Sequence, residues 1–305
     1  MAKIAAGSGR AWTPRTGNIA PGRADARVLA RGDGWSISDV ICTCGPRDHA
    51  FEEQHSDFCI AVVLTGSFQY RSGQGREVMT PGSLLLGNPG QFFECSHEHA
   101  TGDRCISFHY SAEYIENLLS DAGASGVRPG FRVLRLPPLR SFSRLVAQTW
   151  ANTEMAADGR WEELGFQLAT QTAALVGPLV PGLNSIPPSA EARVTRAVRE
   201  IERHSDEQLN LSALAHEAGL SRYHFLRVFE NVTGVTPHQY VRRARLRKAA
   251  TRLMVESTRV LDIALACGFG DVSNFNRAFH AEFGVTPRAY RRQRARHGYS
   301  DSNAD

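Results

Sequence analysis

The 305-residue sequence lacks several features that define whole classes of protein. No apolar run approaches the roughly 18 residues that a membrane-spanning helix requires. The segment Met1–Arg27 carries basic residues without the apolar stretch of a secretion signal. These absences predict a cytoplasmic protein that does not enter membranes, with residues 1–30 as a flexible lead-in. There is also no Gly-rich phosphate loop ahead of a helix and no Gly-x-Ser-x-Gly turn, which excludes the enzyme classes that depend on them.

Cysteine is sparse as well, with six residues in the whole chain. Without a secretion signal, these cysteines are not expected to form structural disulfides. Cys267 lies alone in an apolar helical pattern and is predicted to be a small core residue. The other five fall within the first 105 residues, so they have to be considered together with the histidines of that region.

The charges are unevenly distributed along the chain. From Ala192 to Gly298 there are 19 basic and 10 acidic residues, a net charge of +9, whereas the remainder has a net charge of −5. A basic C-terminal third beside an acidic remainder indicates that one part of the chain binds a polyanion. Solvated surface charge explains the excess equally well, so the motifs have to decide.

Short runs of β-branched and aromatic residues, separated by Gly, Pro, Ser and Asn, fill the region from Trp35 to Tyr110. The predicted strands are Trp35–Cys42, Phe58–Leu64, Ser67–Arg71, Glu77–Met79, Ser83–Leu86, Gln91–Glu94 and Arg104–Tyr110. Many short strands broken by such turns are typical of an antiparallel barrel or sandwich.

Helical periodicity follows in Leu139–Ala156 and Trp161–Val176, each with an apolar stripe. Pro178–Pro188 then contains four prolines and no charge, which predicts a semi-rigid linker over residues 178–191. Everything after this linker is helical in pattern. The predicted fold is therefore an N-terminal antiparallel β-barrel with flanking helices, joined to an all-α C-terminal domain.

The C-terminal third is internally duplicated. The apolar and glycine pattern of Leu211–Leu220 recurs 49 positions later in Val260–Phe269, and the pattern of Phe225–Tyr240 recurs 50 positions later in Phe275–Tyr290. A repeat of this length indicates one structural unit used twice.

Each copy has the anatomy of a helix-turn-helix. A short helix ends near a glycine, Gly219 or Gly268, and a second helix begins after an N-cap residue, Ser221 or Asp271. Two phenylalanines four residues apart must face inward in each second helix, which leaves its opposite face free for a partner. That face holds Arg222, Tyr223, Leu226 and Arg227 in the first copy and Val272, Ser273, Asn274 and Arg277 in the second.

Between the copies, Thr236–Val255 has one uninterrupted helical pattern. Twenty residues form about 30 Å of helix, close to the ~34 Å of one DNA turn, so the two second helices can enter successive major grooves. Basic residues along the connecting helix suit the phosphates between these grooves. They are Arg242, Arg243, Arg245, Arg247 and Lys248.

The stretch Ile263–Tyr290 (IALACGFGDVSNFNRAFHAEFGVTPRAY) resembles the signature of the AraC/XylS family of bacterial regulators, and the resemblance covers about 100 residues. It implies a sequence-specific transcription regulator of the bacterial nucleoid that binds double-stranded DNA, and that contacts RNA polymerase if it is an activator. The two helix-turn-helix units then span 209–233 and 258–284 within a DNA-binding domain at 192–297, followed by a tail at 298–305.

By this resemblance, contacts to bases or phosphates fall on the second helix of each unit. The matching positions are Tyr223, Leu226 and Arg227, and Val272, Ser273, Asn274 and Arg277. Leu226 departs from the polar residue that is usual at its position, and we expect it to contact a thymine methyl group.

In this family a cupin-like barrel that receives a signal and dimerises usually precedes the DNA-binding domain, which implies these roles for residues 31–177. His55 with Ile60–Leu64 and Gly66 resembles the first cupin motif, and Pro81-Gly82 with Pro89-Gly90 resembles the second. The stripes of the two N-terminal helices fit either packing on the barrel or a homodimer interface. The homodimer is favoured, because DNA binding of this kind is served by two copies.

Thiols and imidazoles are concentrated in this barrel. Cys42-x-Cys44 places two thiols on one face of a strand, and Cys95-x-His97-x-His99 does likewise if it stays extended. Such donors suit zinc, copper or nickel. The predicted ligands are Cys42, Cys95, His97 or His99, and Cys105.

Three interpretations of this cluster stay open: cysteines that only pack, a metal-responsive site, and a thiol switch with a cysteine activated near Arg104 or the histidines. An organic effector in the barrel is compatible with the first. A cupin metalloenzyme using His55, His97 and His99, or a repair protein carrying an AraC-like module, are the enzymatic alternatives. Asp57 replaces a histidine of the first cupin motif, and a methyl-acceptor domain is missing. A protein without catalytic activity is therefore predicted.

Overall fold

The computed structural model describes residues 22–48, 50–97, 102–121, 130–154, 161–176, 188–207, 209 and 211–296. Its strands are β1 Ala24–Gly32, β2 Trp35–Cys42, β3 Phe51–Gln54, β4 Phe58–Gly66, β5 Phe68–Ser72, β6 Gly75–Met79, β7 Leu84–Gly87, β8 Phe92–Ser96, β9 Asp103–Tyr110 and β10 Arg135–Leu136. They form a six-stranded sheet in the order β1-β2-β9-β4-β7-β10 and a four-stranded sheet in the order β3-β8-β5-β6. All strand pairs are antiparallel.

Strand β4 shows how the sequence builds a sheet that is buried on both faces. Its residues FCIAVVLTG form a nearly continuous apolar run, which is typical of a strand with no solvent-facing side. Because side chains alternate along a strand, Ile60 and Val62 pack among the helices on one face, while Cys59 and Ala61 pack against the four-stranded sheet on the other. The predicted barrel-like domain with flanking helices is thus confirmed.

All seven predicted strands are present, but three further strands, β1, β3 and β10, were not predicted. Strand β1 lies partly inside the predicted lead-in, so a flexible lead-in is wrong for residues 24–30, and the domain begins before residue 31. β1 pairs only with β2 at the sheet edge, and its side chains are half-buried or exposed. An edge strand of this kind needs no apolar run. Residues 1–21 lie outside the described part of the chain.

Three helices cover the outer face of the six-stranded sheet: α1 Ala112–Asp121, α2 Ser143–Glu154 and α3 Trp161–Val176. Leu145 and Val146 of α2, and Leu164 and Leu168 of α3, are buried in the core of this domain. The structure therefore favours packing over a dimer interface for both stripes. The homodimer itself stays a prediction.

The C-terminal domain is entirely helical in its described residues. Its helices are α4 Pro188–His204, α5 Leu211–Glu217, α6 Arg222–Thr233, α7 Pro237–Val255, α8 Val260–Ala266, α9 Val272–Phe283 and α10 Pro287–Arg296. Helix α4 begins inside the predicted linker, so residues 188–191 are helical, and residues 178–187 lie outside the described residues. The paired helices α5–α6 and α8–α9 fall within the two predicted units.

Helix α7 joins two separate cores in this domain. Thr236 and Gln239 form a reciprocal capping box at its N-terminus, with Pro237 in the first turn, an arrangement that fixes a helix start. Ala244 packs in the first core with α4, α5 and α6, whereas Leu246 and Ala250 pack in the second core with α8, α9 and α10. Because the helix has 19 residues, it separates the two units by about 28 Å.

Candidate nucleic-acid interface and buried cysteine cluster

Helices α6 and α9 begin and end in the same way. Ser221 and Asp271 are their N-caps and accept hydrogen bonds from the backbone N–H groups of His224 and Asn274. Each helix stops at a glycine in the left-handed conformation, with φ of 77° at Gly234 and 74° at Gly284, where a residue with Cβ is strained. These local signals fix the length of both helices independently of the rest of the chain.

The inward faces of α6 and α9 are aromatic. Phe225 and Phe229 of α6, and Phe275 and Phe279 of α9, are fully buried. In each pair the ring centroids lie 5.4–5.5 Å apart, within the range of favourable aromatic contacts. With these faces fixed inward, the opposite faces are presented to solvent.

The structure places most of the predicted DNA-contacting side chains on these opposite faces. Arg222, Arg227, Ser273, Asn274 and Arg277 are exposed. Leu226 and Val272 are half-buried at the edges of the same faces, and the backbone of Tyr223 lies on α6. Each face is polar with one apolar residue, a composition suited to base edges and thymine methyl groups.

The connecting helix α7 differs from expectation. Arg242 is exposed, but Arg245 donates to the carbonyl oxygens of Ser205 (2.5 Å) and Glu207 (2.7 Å) beyond the end of α4. Burial lowers the pKa of the Arg245 guanidinium. Arg245 thus satisfies backbone carbonyl oxygens that the end of a helix leaves without partners. This arrangement does not fit its prediction as a phosphate ligand.

Three further basic residues of α7 also bind within the chain. Arg247 pairs with Glu202 at 2.6 Å, and Lys248 pairs with Asp206 at 2.7 Å. Arg243 donates to the Pro138 carbonyl oxygen of the N-terminal domain at 2.6 Å. The basic character of α7 therefore serves mainly to attach it to its neighbours.

A basic groove beside α9 was missed by the sequence analysis. It has a volume of about 1050 Å³ and is lined by Val272 together with residues around the start of α8 and along α10. Arg259, Arg288 and Arg292 lie in it and are exposed. The arginine-rich run of α10 was the available signal, since Arg291 and Arg292 follow one turn after Arg288.

The N-terminal domain contacts the C-terminal end of each candidate recognition helix. Arg135 of β10 donates to the carbonyl oxygen of Thr233, the last residue of α6, at 3.0 Å, and pairs with Glu77 at 2.9 Å. Ser143 of α2 donates to Glu282 of α9 at 2.5 Å. We call the Arg135–Thr233, Ser143–Glu282 and Arg243–Pro138 hydrogen bonds the domain junction.

Glu282 is the most buried charge of the domain junction, with its side chain 3% exposed. Besides Ser143, it accepts from Arg243 Nε at 3.2 Å. Burial lowers the pKa of Arg243, and the neighbouring Glu282 carboxylate acts in the opposite direction. A movement of α2 would therefore displace the C-terminal end of α9 through the Ser143–Glu282 hydrogen bond.

The predicted cysteine and histidine ligands divide into two groups. Cys95 and Cys105 are buried between the two sheets with Cys59. Cys42 and His97 lie at the edge of the sheet, where their ligand atoms and a carboxylate oxygen of Asp103 are all within 4.8 Å of one another. His99 lies outside the described residues. The predicted set of five ligands is thus not brought together in the described residues.

The thiols of Cys59, Cys95 and Cys105, inside the barrel, have low reactivity. Burial raises the pKa of Cys59 to about 12 and also raises the pKa values of Cys95 and Cys105, with Asp103 adding to the effect for the last two. A protonated thiol is a poor nucleophile. These cysteines fit the packing interpretation.

Cys44 is different, because the pKa of its thiol falls to about 7, mainly through a hydrogen bond with the Cys42 side chain. His97 lowers the pKa further by its charge, whereas burial opposes the shift. The pKa of Cys42 is raised by the same hydrogen bond and by burial. The pair therefore holds its first negative charge on Cys44.

His55, at the first cupin position, is a buried structural residue. Its Nε2 atom lies 2.8 Å from the Tyr70 hydroxyl, and its ring stacks on Phe93 at 4.2 Å. A Cβ atom on Gly87 would overlap the His55 ring. Burial lowers the pKa of His55 to about 4, with a smaller contribution from His109.

Acid should destabilise the protein through this histidine. Between about pH 6.5 and pH 4 the unfolded chain binds a proton at His55 while the folded chain does not. The free energy of unfolding therefore decreases by about 3 kcal/mol as the pH is lowered through this range. Urea denaturation of wild type and His55→Gln at pH 7 and pH 4.5 measures this, with exposed His216→Gln as control. A similar loss of stability in wild type and His55→Gln would show that His55 is not responsible.

Comparison with known families accounts for both domains. Residues 38–169 match the model of an AraC-like ligand binding domain, and residues 214–293 match that of a helix-turn-helix domain. The chain belongs to the AraC family. The Transposon Tn10 TetD protein of Escherichia coli is 42% identical to it over 94 residues, which are 31% of this chain and 68% of TetD.

Other relatives of this AraC-family chain are similar over shorter shares. The right origin-binding protein of Escherichia coli K12 is 41% identical over 92 residues, which are 30% of this chain and only 32% of that protein. A crystal structure of an AraC-type transcriptional regulator from Chromobacterium violaceum is 32% identical, covering 37% of this chain and 100% of its own, with a TM-score of 0.34.

The family assignment confirms the fold class and the general function. This AraC-family chain is a transcription regulator with a ligand-binding and a DNA-binding domain. In the part of the chain that the structure describes, helices of sufficient length and apolarity to span a membrane are absent.

Proposed function

We propose that this regulator binds one specific site on double-stranded DNA, with α6 and α9 in adjacent major grooves and a signal in the N-terminal domain controlling the binding. The observation that supports this most is the pair of capped helices with buried aromatic faces and exposed polar faces. Their separation along α7 of about 28 Å is close to the ~34 Å between successive major grooves.

The two exposed faces are the proposed base readers. Arg222, Tyr223, Leu226 and Arg227 belong to the first, and Val272, Ser273, Asn274 and Arg277 belong to the second. Arginine donates two hydrogen bonds to guanine, and asparagine pairs with adenine. Exposed Arg242 on α7 and the groove arginines Arg259, Arg288 and Arg292 are the proposed phosphate ligands.

Control by the N-terminal domain is proposed to act through the domain junction. Arg135 contacts the end of α6, and Ser143 contacts α9 through Glu282, so a change in the N-terminal domain alters the relative position of both readers. A ligand shifts such an equilibrium only if it binds the two arrangements with different affinity. The proposed signal is a metal ion or a thiol-reactive species that binds to the cysteines and histidines of the N-terminal domain. The regulator is proposed to act as a homodimer, and to contact RNA polymerase if it is an activator.

Selection from a random duplex library tests the sequence-specific part. The full-length protein should enrich one asymmetric motif and bind it at least ~10³-fold more tightly than scrambled duplex. Affinity should fall steeply with salt, because arginines displace counterions from phosphates. Equal affinity for every duplex would refute sequence-specific binding.

Arg277→Ala should weaken binding to the selected site by about 1–3 kcal/mol and relax the preference at one base pair. The reason is that its exposed side chain projects from the outward face of α9. Arg292→Ala is the matched control, since loss of a phosphate contact lowers affinity for all sequences equally and reduces the salt slope by about one. If Arg277→Ala behaves like Arg292→Ala, then Arg277 contacts only the DNA backbone.

A further inference from the structure

Three buried groups from different strands meet at one edge of the N-terminal domain. Cys42 ends β2, Asp103 begins β9 directly opposite it, and His97 follows β8. Their candidate ligand atoms all lie within 4.8 Å of one another. The three residues are 3%, 5% and 4% exposed, respectively, so water hardly reaches them.

The hydrogen bonding of this group is incomplete. His97 Nε2 lies 2.6 Å from Asp103 Oδ2, but the buried Nδ1 atom of His97 has no hydrogen-bond partner among the described residues. A buried polar atom left unpaired costs about 1–3 kcal/mol. The site therefore gathers a carboxylate, an imidazole and a thiol away from water at an energetic cost. This arrangement points to a bound metal cation.

A fourth donor is at hand. Cys44 is buried at 6% exposure, and its backbone N–H donates to Cys42 Sγ at 3.5 Å. Cys105 Sγ lies 3.4 Å from Asp103 Oδ1, but it is oriented into the barrel core with Cys59 and Cys95. Among the described residues, neither thiol belongs to the group of ligand atoms within 4.8 Å of one another. The fourth ligand therefore has to move towards the group, and Cys44 is the thiol that does not belong to the barrel core.

We propose that Cys42, Cys44, His97 and Asp103 bind one zinc ion. Zinc accepts sulfur, nitrogen and oxygen ligands in a tetrahedron, whereas calcium and magnesium require oxygen ligands throughout, and copper(I) favours thiolates and thioethers. Bonds of about 2.0–2.3 Å place tetrahedral ligand atoms roughly 3.3–3.8 Å apart. The longest spacing in the group of three, at most 4.8 Å, therefore has to shorten by up to about 1 Å, while the hydrogen bond between His97 and Asp103 opens. Zinc takes the place of the thiol protons of Cys42 and Cys44, which are released to solvent.

The site is connected to the DNA-binding domain, and this second part rests on the proposed function. Asp103 pairs with Gly66 across β9 and β4, and a Cβ atom at Gly66 would lie 2.6 Å from Asp103 Cα. Gly66 and Thr65 line a cavity of about 790 Å³ that α4 and α7 close from the other side, with Arg199 and Arg247. An ion that fixes Asp103 therefore restrains the strand end that faces the DNA-binding domain.

Metal analysis of the full-length protein, purified without oxygen, tests the site without DNA. We expect one zinc per chain, and cobalt substitution should give an intense thiolate-to-cobalt charge-transfer absorption. Cys42→Ser, Cys44→Ser, His97→Gln and Asp103→Asn should each lower zinc affinity at least tenfold. Cys59→Ser and Cys267→Ser are matched buried controls that should retain full zinc occupancy. Cys95→Ser and Cys105→Ser should also retain zinc, which distinguishes this site from the ligand set that the sequence predicted.

The cobalt spectrum of wild type keeps the test independent of how well the variants fold. Wild type that binds neither zinc nor cobalt overturns the site, as does a disulfide between Cys42 and Cys44, or a charge-transfer band that survives the loss of both thiols. Titration of the selected duplex with zinc-loaded and chelated protein then tests the regulatory part, with at least a fivefold difference in affinity expected. An equal affinity overturns regulation by zinc, and loss of sequence preference in both forms would instead refute the proposed function.

Discussion

Replacing Glu282 by alanine is expected to lower the free energy of unfolding by about 3–5 kcal/mol, the usual effect of removing one partner of a buried ion pair. The Glu282 side chain is 3% exposed and that of Arg243 is 13% exposed. Without the carboxylate, the Pro138 carbonyl oxygen is the one hydrogen-bond acceptor left to the Arg243 guanidinium among the described residues, and the Ser143 hydroxyl loses its partner on α9. Urea denaturation at pH 7 measures the change.

Two further variants make this result specific. Glu230→Ala removes an exposed glutamate from α6 and should change stability by no more than about 0.5 kcal/mol. Ser143→Ala removes the hydrogen bond to Glu282 but keeps the ion pair, so a loss of about 1 kcal/mol is expected. If Glu282→Ala and Glu230→Ala prove equally mild, the domain junction is open in solution, and control of α9 through α2 loses its basis.

The sequence predicted best what short-range patterns determine. Ser221 and Asp271 are N-caps as expected, and Gly219 and Gly268 have positive φ of 63° and 85°. These features depend on neighbours within one turn of helix, and they are duplicated along the chain, which doubles the signal. Strand β4 was similarly evident because both of its faces are apolar.

Long side chains were predicted least well, because their partners come from distant parts of the chain. Arg245 has the composition and spacing of a phosphate ligand, yet it binds carbonyl oxygens 38 and 40 residues away. Period and charge place a guanidinium on a face of the helix, but they do not identify the acceptor it reaches. The same limit applies to Arg135, whose contact with Thr233 spans 98 residues.

The candidate metal site shows a third situation. Alternation along β8 and β9 puts Cys95 and Cys105 inside the barrel, and strand registers, which the sequence does not show, decide which thiols meet. Asp103 was not considered as a ligand, although it is a carboxylate two residues before Cys105. Its pairing with Cys42 across β2 and β9 is visible only once the sheet is assembled.

Phe279→Ala should have an effect of similar size on the second helix-turn-helix. The Phe279 side chain is fully buried and contacts the rings of Phe283 and Tyr290 at centroid distances of 4.4 Å and 5.3 Å. Truncating a buried phenylalanine leaves a cavity, and the expected loss is about 3–5 kcal/mol of unfolding free energy. Phe92→Ala is the matched control, because Phe92 is 59% exposed and its loss should change stability little.

The DNA footprint of Phe279→Ala separates the two units. Since the cores of α6 and α9 are distinct and joined through α7, the variant should lose protection over the half of the site that α9 reads and keep it over the half that α6 reads. Arg277→Ala provides the comparison, because it removes a contact on the same half without disturbing the core. Uniform loss of protection over both halves, at a temperature where the protein is still folded, would mean that the two units recognise DNA only as one cooperative body.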